Sequence, residues 1–440
     1  MTKTVTGTVL AFLMLAGLAS AARAQSAEPF VGNRPGATLL LPYFEVDLAN
    51  ANGMTTLFSI NNSSATAILS HVTIWSDLGV PVFGFNVYLT GYDIQSINLR
   101  DVLRGQVPIT ASDGQDPTDT FPASTGISNQ GPLSQDINFA SCTGQLPPPA
   151  VPASLIAHMQ SSLTGGPSAV YANRCSGRNL GTPTIARGYV TVDTVNNCTL
   201  RFPGEPGYFG AGGTGDATNQ NVMWGEYQYV DLSKDFAAGD ALVSLRASAT
   251  DPETSLPGEY TFYGRHVGFT AADNREPLST TFVTRFVGAK EYKQENRALL
   301  QQILPPATEL LVWRDSKSTT MPFSCGTGPS WYPLPQGQVA AFDEQENAED
   351  LGATPVFGAA TQRVSMTTSL PATAESGWLY LNLNAAPAGQ VPGLAAPDAA
   401  QAWVTVLHRV YQGPTGGRYD VGFRAIRLDS ARTPSNRVIF

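Results

Sequence analysis

Charged side chains are scarce in this sequence of 440 residues, where Lys, Arg, Asp and Glu together make up 14%. An average soluble domain carries about 25%. The charge that is present is mainly acidic, since the net charge is −9, and Lys and Arg never form a run. Nucleic acid is therefore not an expected partner, because binding it depends on clustered cations that neutralise phosphates.

Long apolar runs are absent beyond the first residues. Near the N-terminus, Lys3 precedes a small and apolar run from Val9 to Ala19, and Ala22-Arg23-Ala24 has the small-x-small pattern of a cleavage site. This run is too short to cross about 30 Å of hydrocarbon, so the pattern predicts a signal peptide over residues 1–24. We expect an exported mature chain without a transmembrane helix, located in the periplasm, at the cell surface or outside the cell.

Removing residues 1–24 takes away two basic residues and no acidic one, which changes the net charge from −9 to −11.

Cysteine is also rare in this chain. An even number of cysteines in an exported protein predicts disulfides, here two bonds with three possible pairings. A metal site is the alternative, but no C-x-x-C and no histidine at ligand spacing accompanies them. The four cysteines are Cys142, Cys175, Cys198 and Cys325.

Catalytic signatures are missing as well. The sequence contains neither the G-x-S-x-G of a nucleophile elbow nor the H-E-x-x-H of a zincin. Residues 210–215 match G-x-G-x-x-G, but glycine, proline and polar residues surround them instead of the strand and helix that a dinucleotide site requires. Among four histidines, His266 has the most site-like surroundings, in Tyr260-Thr261-Phe262-Tyr263-Gly264-Arg265-His266. Packing at a strand end is the favoured interpretation.

What the sequence does contain is a series of short strand signals separated by turns. Residues 68–75 place Ile68, Val72 and Ile74 on one face and Leu69 and Trp75 on the other. Large apolar groups on both faces predict a strand in the middle of a packed structure. Similar signals recur about every ten residues, which is typical of an all-β sandwich. The fold class we predict is mainly β, with two antiparallel sandwich-like regions.

The order of strand signals, turn-rich stretches and helical spacing predicts how the chain is divided into regions. After the signal peptide, residues 25–289 form a first β region, interrupted over 105–182 by a long irregular insertion with one short helix at Ala153 to Leu163. Residues 290–306 carry apolar side chains at helical spacing and end in Pro305-Pro306, which predicts a connecting helix. Residues 307–440 form the second β region.

Residues 54–99, with their strands and turns, resemble the immunoglobulin-like domains of secreted bacterial surface proteins. The resemblance covers about a tenth of the chain. It implies a β-sandwich and no particular ligand. The Cys-Trp-Cys arrangement of true immunoglobulin domains is absent, since Trp75 precedes every cysteine.

Two groups of residues are candidates for ligand binding. Three aspartates recur at every third position of a Gly- and Pro-bearing loop, where hard oxygen ligands would suit Ca²⁺; they are Asp113, Asp116 and Asp119. Exposed aromatic rings could stack on the apolar faces of sugars. The aromatic candidates are Trp224, Tyr227, Tyr229, Trp331 and Tyr332. No other cofactor is expected.

These observations predict an exported, non-catalytic envelope or extracellular protein with a structural, adhesion or ligand-binding role toward a protein or glycan. A secreted hydrolase acting on glycans is the first alternative. It would use paired carboxylates, and four candidates lie in or near strands beside the aromatic residues: Glu226, Asp231, Glu253 and Glu259. An outer-membrane β-barrel, which the terminal Phe440 would fit, is the second alternative.

Overall fold

Antiparallel β-structure dominates the chain, as the spacing of apolar residues predicts. The computed structural model describes residues 34–109, 136–250, 261–268, 270, 272–287, 307–315, 322–329, 332–334, 336–351, 356–365, 376–383, 401–411, 418–424 and 426–427. Within these residues there are nineteen strands and two α-helices. The mainly β fold class is thereby confirmed.

Ten strands and both helices precede residue 251. The strands are β1 (Thr38–Asp47), β2 (Met54–Asn62), β3 (Ile68–Ser76), β4 (Pro81–Leu89), β5 (Ile94–Asn98), β6 (Ile185–Val195), β7 (Met223–Trp224), β8 (Glu226–Asp231), β9 (Phe236–Ala241) and β10 (Val243–Leu245). The helices are α1 (Leu99–Val102) and α2 (Ala153–Leu163). Helix α2 confirms the short helix predicted within the insertion.

Nine strands follow residue 280. They are β11 (Thr281–Val287), β12 (Ala307–Arg314), β13 (Val339–Asp343), β14 (Ala348–Glu349), β15 (Thr361–Ser365), β16 (Ser376–Asn382), β17 (Ala402–Tyr411), β18 (Arg418–Arg424) and β19 (Ile426–Arg427). The predicted connecting helix, residues 290–306, lies outside the described residues, as does the predicted signal peptide.

The strands form four antiparallel sheets. A central sheet has the order β10-β1-β6-β3-β4, and an outer sheet has the order β5-β2-β8-β9 with β7 beside β2. The other two sheets have the orders β15-β12-β17-β18 and β14-β13-β16-β11-β19. Strand β11 precedes residue 290 but pairs with β16 and β19, so it belongs to a C-terminal sheet.

The central sheet is covered on both faces, which is why β3 carries large apolar side chains on both of its sides. One face packs on the outer sheet, where Val72 and Ile74 share a core with Phe58 of β2. The opposite face packs under loop segments, where Leu69 and Trp75 belong to two smaller clusters. All nine residues of β3 are buried. A strand between two packed layers has no solvent-facing side, so both faces are apolar.

The two C-terminal sheets enclose a core of their own, with Phe282, Leu310 and Leu379 among its residues. Leu311 and Leu407 point away from that core and join the core of the N-terminal sheets. The alternation of side chains along β12 and β17 explains this, since successive residues face opposite sides. The N-terminal and C-terminal sheets are therefore joined by continuous apolar packing.

A buried polar network lies under the loops that cover the central sheet. The Asp193 carboxylate of β6 accepts hydrogen bonds from the hydroxyls of Tyr208 (2.8 Å), Tyr263 (2.9 Å) and Thr38. The Arg275 guanidinium lies 3.5 Å from Asp193 and donates to Thr38 Oγ1 at 2.9 Å. Both charged side chains are almost completely buried, so each depends on the other for compensation.

Candidate functional site

A cleft of about 520 Å³ opens where the N-terminal and C-terminal sheets meet. We call it the junction cleft. Its first wall is formed by residues 175–180 with Gly165 and Leu78, and its second wall by residues 323–329, 332–333 and 356–362. Such a position is common for ligand sites, because surfaces from two packed units create a concavity that neither has alone.

A disulfide bond joins the two walls of the junction cleft. The four cysteines form two pairs, Cys142–Cys198 and Cys175–Cys325, as the even count predicts. The second pair spans 150 residues, with Cys175 buried on one wall and Cys325 exposed on the other. The amide of Cys175 donates to the Phe323 carbonyl at 2.9 Å, and Phe323 donates back at 2.8 Å. The walls are therefore held both covalently and by paired backbone bonds.

Local sequence explains how the first wall reaches this position. Helix α2 ends at Leu163, and Gly165 follows with φ +80°, a left-handed conformation that glycine adopts without strain. A Cβ atom at Gly165 would lie 2.3 Å from the Arg178 carbonyl oxygen. Glycine thus allows the chain leaving α2 to pack directly against the segment that bears Arg178.

Further hydrogen bonds fix the second wall. The Tyr332 hydroxyl donates to the Leu78 carbonyl at 3.0 Å, across the base of the cleft. The Leu334 amide donates to the Gly358 carbonyl at 2.7 Å, which connects the two segments of this wall. The Tyr332 hydroxyl is thereby bonded within the protein, and the residue lines the cleft.

Most of the cleft surface is apolar. Phe323, Tyr332 and Pro333 contribute ring surface, and two aliphatic side chains stay in contact with solvent there: Leu180 is 48% exposed and Val356 is 62% exposed. The Gln362 side chain is engaged with Val356 O at 2.8 Å and with the Ala359 amide at 3.1 Å. The cleft can accept an apolar body, because its polar side chains are largely engaged within the wall.

Arg178 is the charged residue that lines the junction cleft. Its Nε lies 2.7 Å from Asp77 Oδ2, and its Nη2 donates to the Thr361 carbonyl at 3.3 Å. The Arg178 side chain is 31% exposed, whereas the Asp77 side chain is 4% exposed. Burial raises the pKa of Asp77, and the neighbouring Arg178 charge opposes that rise. The arginine therefore presents the accessible end of a pair whose acidic end is enclosed.

The structure separates the aromatic residues that the sequence marks as candidates. Tyr332 lines the junction cleft, whereas Trp224 lies on the outer sheet and is 45% exposed. Tyr227 and Tyr229 are 2% and 3% exposed, and they belong to the core beneath that sheet. Their ring faces are inaccessible to a sugar. Trp331 lies outside the described residues.

The proposed calcium ligands Asp113, Asp116 and Asp119 also lie outside the described residues. In the described part of the chain, no group of three or more His, Cys, Asp or Glu side chains is arranged to hold a metal ion. Of the carboxylates considered for glycan hydrolysis, Glu226 and Asp231 are on opposite faces of β8, with Glu226 exposed and Asp231 buried. Glu253 and Glu259 lie outside the described residues. Lys234 Nζ lies 2.7 Å from the Asp231 carboxylate.

His266 packs into an aromatic cluster, but residues 262–268 form turns, so it does not lie at the end of a strand as the sequence predicts. Its ring centroid lies 5.5 Å from Trp75 and 5.9 Å from Tyr263, and the nearby charges are those of Asp315 and Arg265. Burial lowers the pKa of His266 to about 4, although Asp315 opposes this shift. The imidazole is therefore neutral in the folded protein over most of the physiological range.

Acid should destabilise the fold through this residue. An unfolded histidine has a pKa of about 6.5, so between that value and about pH 4 the unfolded state binds a proton that folded His266 does not. The stability that neutral His266 contributes is therefore fully present above pH 6.5, and it is lost as the pH falls toward 4. Between about pH 7 and about pH 4.5, we expect the wild type to lose about 2 kcal/mol more than His266→Gln.

Urea unfolding of both proteins at the two pH values measures this difference. Burial raises the pKa of Asp77 and Asp273, which gives stability changes of the opposite sign, but both acids are present in each protein and cancel in the comparison. Equal pH dependence in the wild type and His266→Gln would contradict the burial of a neutral imidazole.

Sequence reasoning identified Cys175, Cys325 and Tyr332 at the cleft but missed Arg178 and Val356. Neither missed residue belongs to a motif, and 178 positions separate them along the chain. No local pattern in residues 323–329 or 356–362 indicates that they meet residues 175–180. The even cysteine count was the one signal that two distant loops are joined.

Comparison of the chain with protein-family models, with curated proteins and with solved structures finds no match in any of the three. The resemblance to immunoglobulin-like domains therefore stays a prediction. No helix in the described part of the chain has the length and apolar character that a transmembrane span requires.

Proposed function

We propose that this chain is an exported, non-catalytic protein that binds a small, largely apolar ligand in the junction cleft. The observation that carries the proposal is the cleft itself: about 520 Å³, between two sets of sheets, with its walls joined by Cys175–Cys325. Export is supported by the signal-like N-terminus and by the two disulfides, which form in oxidising compartments.

Size and lining both support a small-molecule ligand. Pockets that bind such ligands typically have volumes of about 300–1,000 Å³, apolar walls and a few polar groups. Leu180 and Val356 are exposed in the unliganded cleft. Covering them with an apolar ligand removes that surface from water, which stabilises the complex by about 25 cal/mol per Å² of buried apolar area.

Nile red, an uncharged dye that fluoresces in apolar surroundings, provides the test. We expect the mature protein to bind one equivalent. The double variant Leu180→Asn with Val356→Asn should bind at least about tenfold more weakly, because polar amides replace the aliphatic contacts and tenfold corresponds to about 1.4 kcal/mol.

Two exposed leucines away from the junction cleft give a matched control. Leu200 and Leu232 are 71% and 66% exposed, and the double variant Leu200→Asn with Leu232→Asn should bind Nile red as the wild type does. Equal binding by the cleft variant and the wild type, or a loss confined to the control variant, would contradict the assignment of the ligand site to the cleft.

A further inference from the structure

Among the described residues that line the junction cleft, Arg178 carries the only charged side chain. Arg178 is held by Asp77 through Nε at 2.7 Å, and the backbone amide of Arg178 donates to Asp77 Oδ1 at 2.9 Å. Nη2 donates to the Thr361 carbonyl. Within the described residues, no hydrogen bond occupies Nη1. The guanidinium is thus held at Nε and at Nη2, and the Arg178 side chain is partly exposed in the cleft.

Fixing the guanidinium in advance matters for binding. A long side chain loses conformational entropy when a ligand immobilises it, and Arg178 has already been ordered by Asp77 and Thr361. The planar fork of arginine matches the two oxygens of a carboxylate, and charge-assisted hydrogen bonds are roughly twice as strong as neutral ones. An anionic oxygen is therefore the ligand group that suits this position.

The other residues that line the cleft limit how polar the remainder of the ligand can be. The hydroxyls of Tyr332 and Thr327 donate to carbonyls of the protein, and the Gln362 amide is bonded within its own wall. Apolar surface from Leu180, Phe323 and Val356 lies in the same cleft as Arg178. Asn179 also lines the cleft, and its Oδ1 accepts from the Gly181 amide at 3.0 Å. A ligand with many polar groups would therefore lose more hydrogen bonds to water here than the lining could replace.

We infer that the junction cleft binds an apolar monocarboxylate, with the acidic group on Arg178 and the apolar body against Leu180, Phe323 and Val356. This inference rests on the proposed function, since it names the ligand class of the same cleft. The cleft should bind cations weakly, because an ammonium group would face the guanidinium. It should bind carboxylates with higher affinity than alcohols of equal length.

Three eight-carbon probes separate these possibilities: octanoate, 1-octanol and octylammonium. Isothermal titration of the mature wild-type protein should give a Kd for octanoate at least about tenfold below that for octanol, and octylammonium should bind more weakly than either. Equal affinity for octanoate and octanol would overturn the inference and leave the proposed function standing. Absence of binding by both probes would overturn the proposed function as well.

A variant in which both members of the ion pair are neutral tests whether Arg178 causes the preference for octanoate over octanol. Removing Arg178 alone would leave the Asp77 carboxylate enclosed without its partner, so the variant is Asp77→Asn together with Arg178→Gln. Circular dichroism and thermal unfolding check that it folds. We expect the octanoate-to-octanol preference to fall to about one, with octanol affinity changed by less than about twofold. A preserved preference would place the anion site elsewhere. If this variant does not fold, the three-probe comparison on the wild type still decides the inference.

Discussion

Replacing Arg275 with methionine should lower the free energy of unfolding by about 3–5 kcal/mol, because it leaves the Asp193 carboxylate buried without a compensating charge. Arg275 is 1% exposed and Asp193 is fully buried. Methionine keeps the approximate length of the side chain but removes the donors to Thr38 Oγ1 and to the carbonyls of Asp273 and Thr218. Urea unfolding monitored by tryptophan fluorescence measures the change.

An exposed arginine gives the matched control. Arg285 is 64% exposed and lies 2.8 Å from Glu344, which is also exposed. Arg285→Met should change stability by less than about 1 kcal/mol, since exposed ion pairs contribute little. If the two methionine variants were equally stable, Arg275 would not be the buried counter-ion of the central sheet.

Opening the Cys175–Cys325 bond should lower the free energy of unfolding by a comparable amount. A bond that closes 150 residues restricts the unfolded chain strongly, and loop-closure entropy gives about 5 kcal/mol for this span against about 4 kcal/mol for the 56 residues between Cys142 and Cys198. The variant Cys175→Ala with Cys325→Ala should therefore unfold at markedly lower urea concentration than the wild type. It should also lose Nile red binding, because nothing covalent then joins the cleft walls.

The second disulfide separates these two effects. Cys142→Ala with Cys198→Ala should lose stability to a similar degree and retain Nile red binding under conditions where it stays folded, since neither residue lines the junction cleft. Equal binding by both disulfide variants would mean that the cleft does not depend on its covalent link.

Period-two patterns along the chain were sufficient to predict the mainly β fold, and they were most informative in β3. Its two apolar faces indicated a strand between two layers before any partner was known. The same pattern was ambiguous in β8, where Tyr227 and Tyr229 alternate with Glu226 and Gln228. Alternation shows which side chains share a face, but whether that face is covered depends on the next layer. The tyrosines face the core.

The junction cleft could not be predicted in the same way. It brings Arg178, Tyr332 and Val356 together from segments that local signals describe only as loops. Their proximity depends on the packing of Leu311 and Leu407 into the N-terminal core and on one of three possible cysteine pairings. Those are long-range interactions, which no local propensity encodes.

Crystals of the mature protein grown with 8-bromo-1-octanol test the central claim most directly, since anomalous scattering locates the bromine without reference to any expected pose. We predict one bromine peak in the junction cleft, against the surface formed by Leu180, Phe323 and Val356. Bromine bound only elsewhere on the protein, with the cleft empty at saturating ligand, would contradict the account.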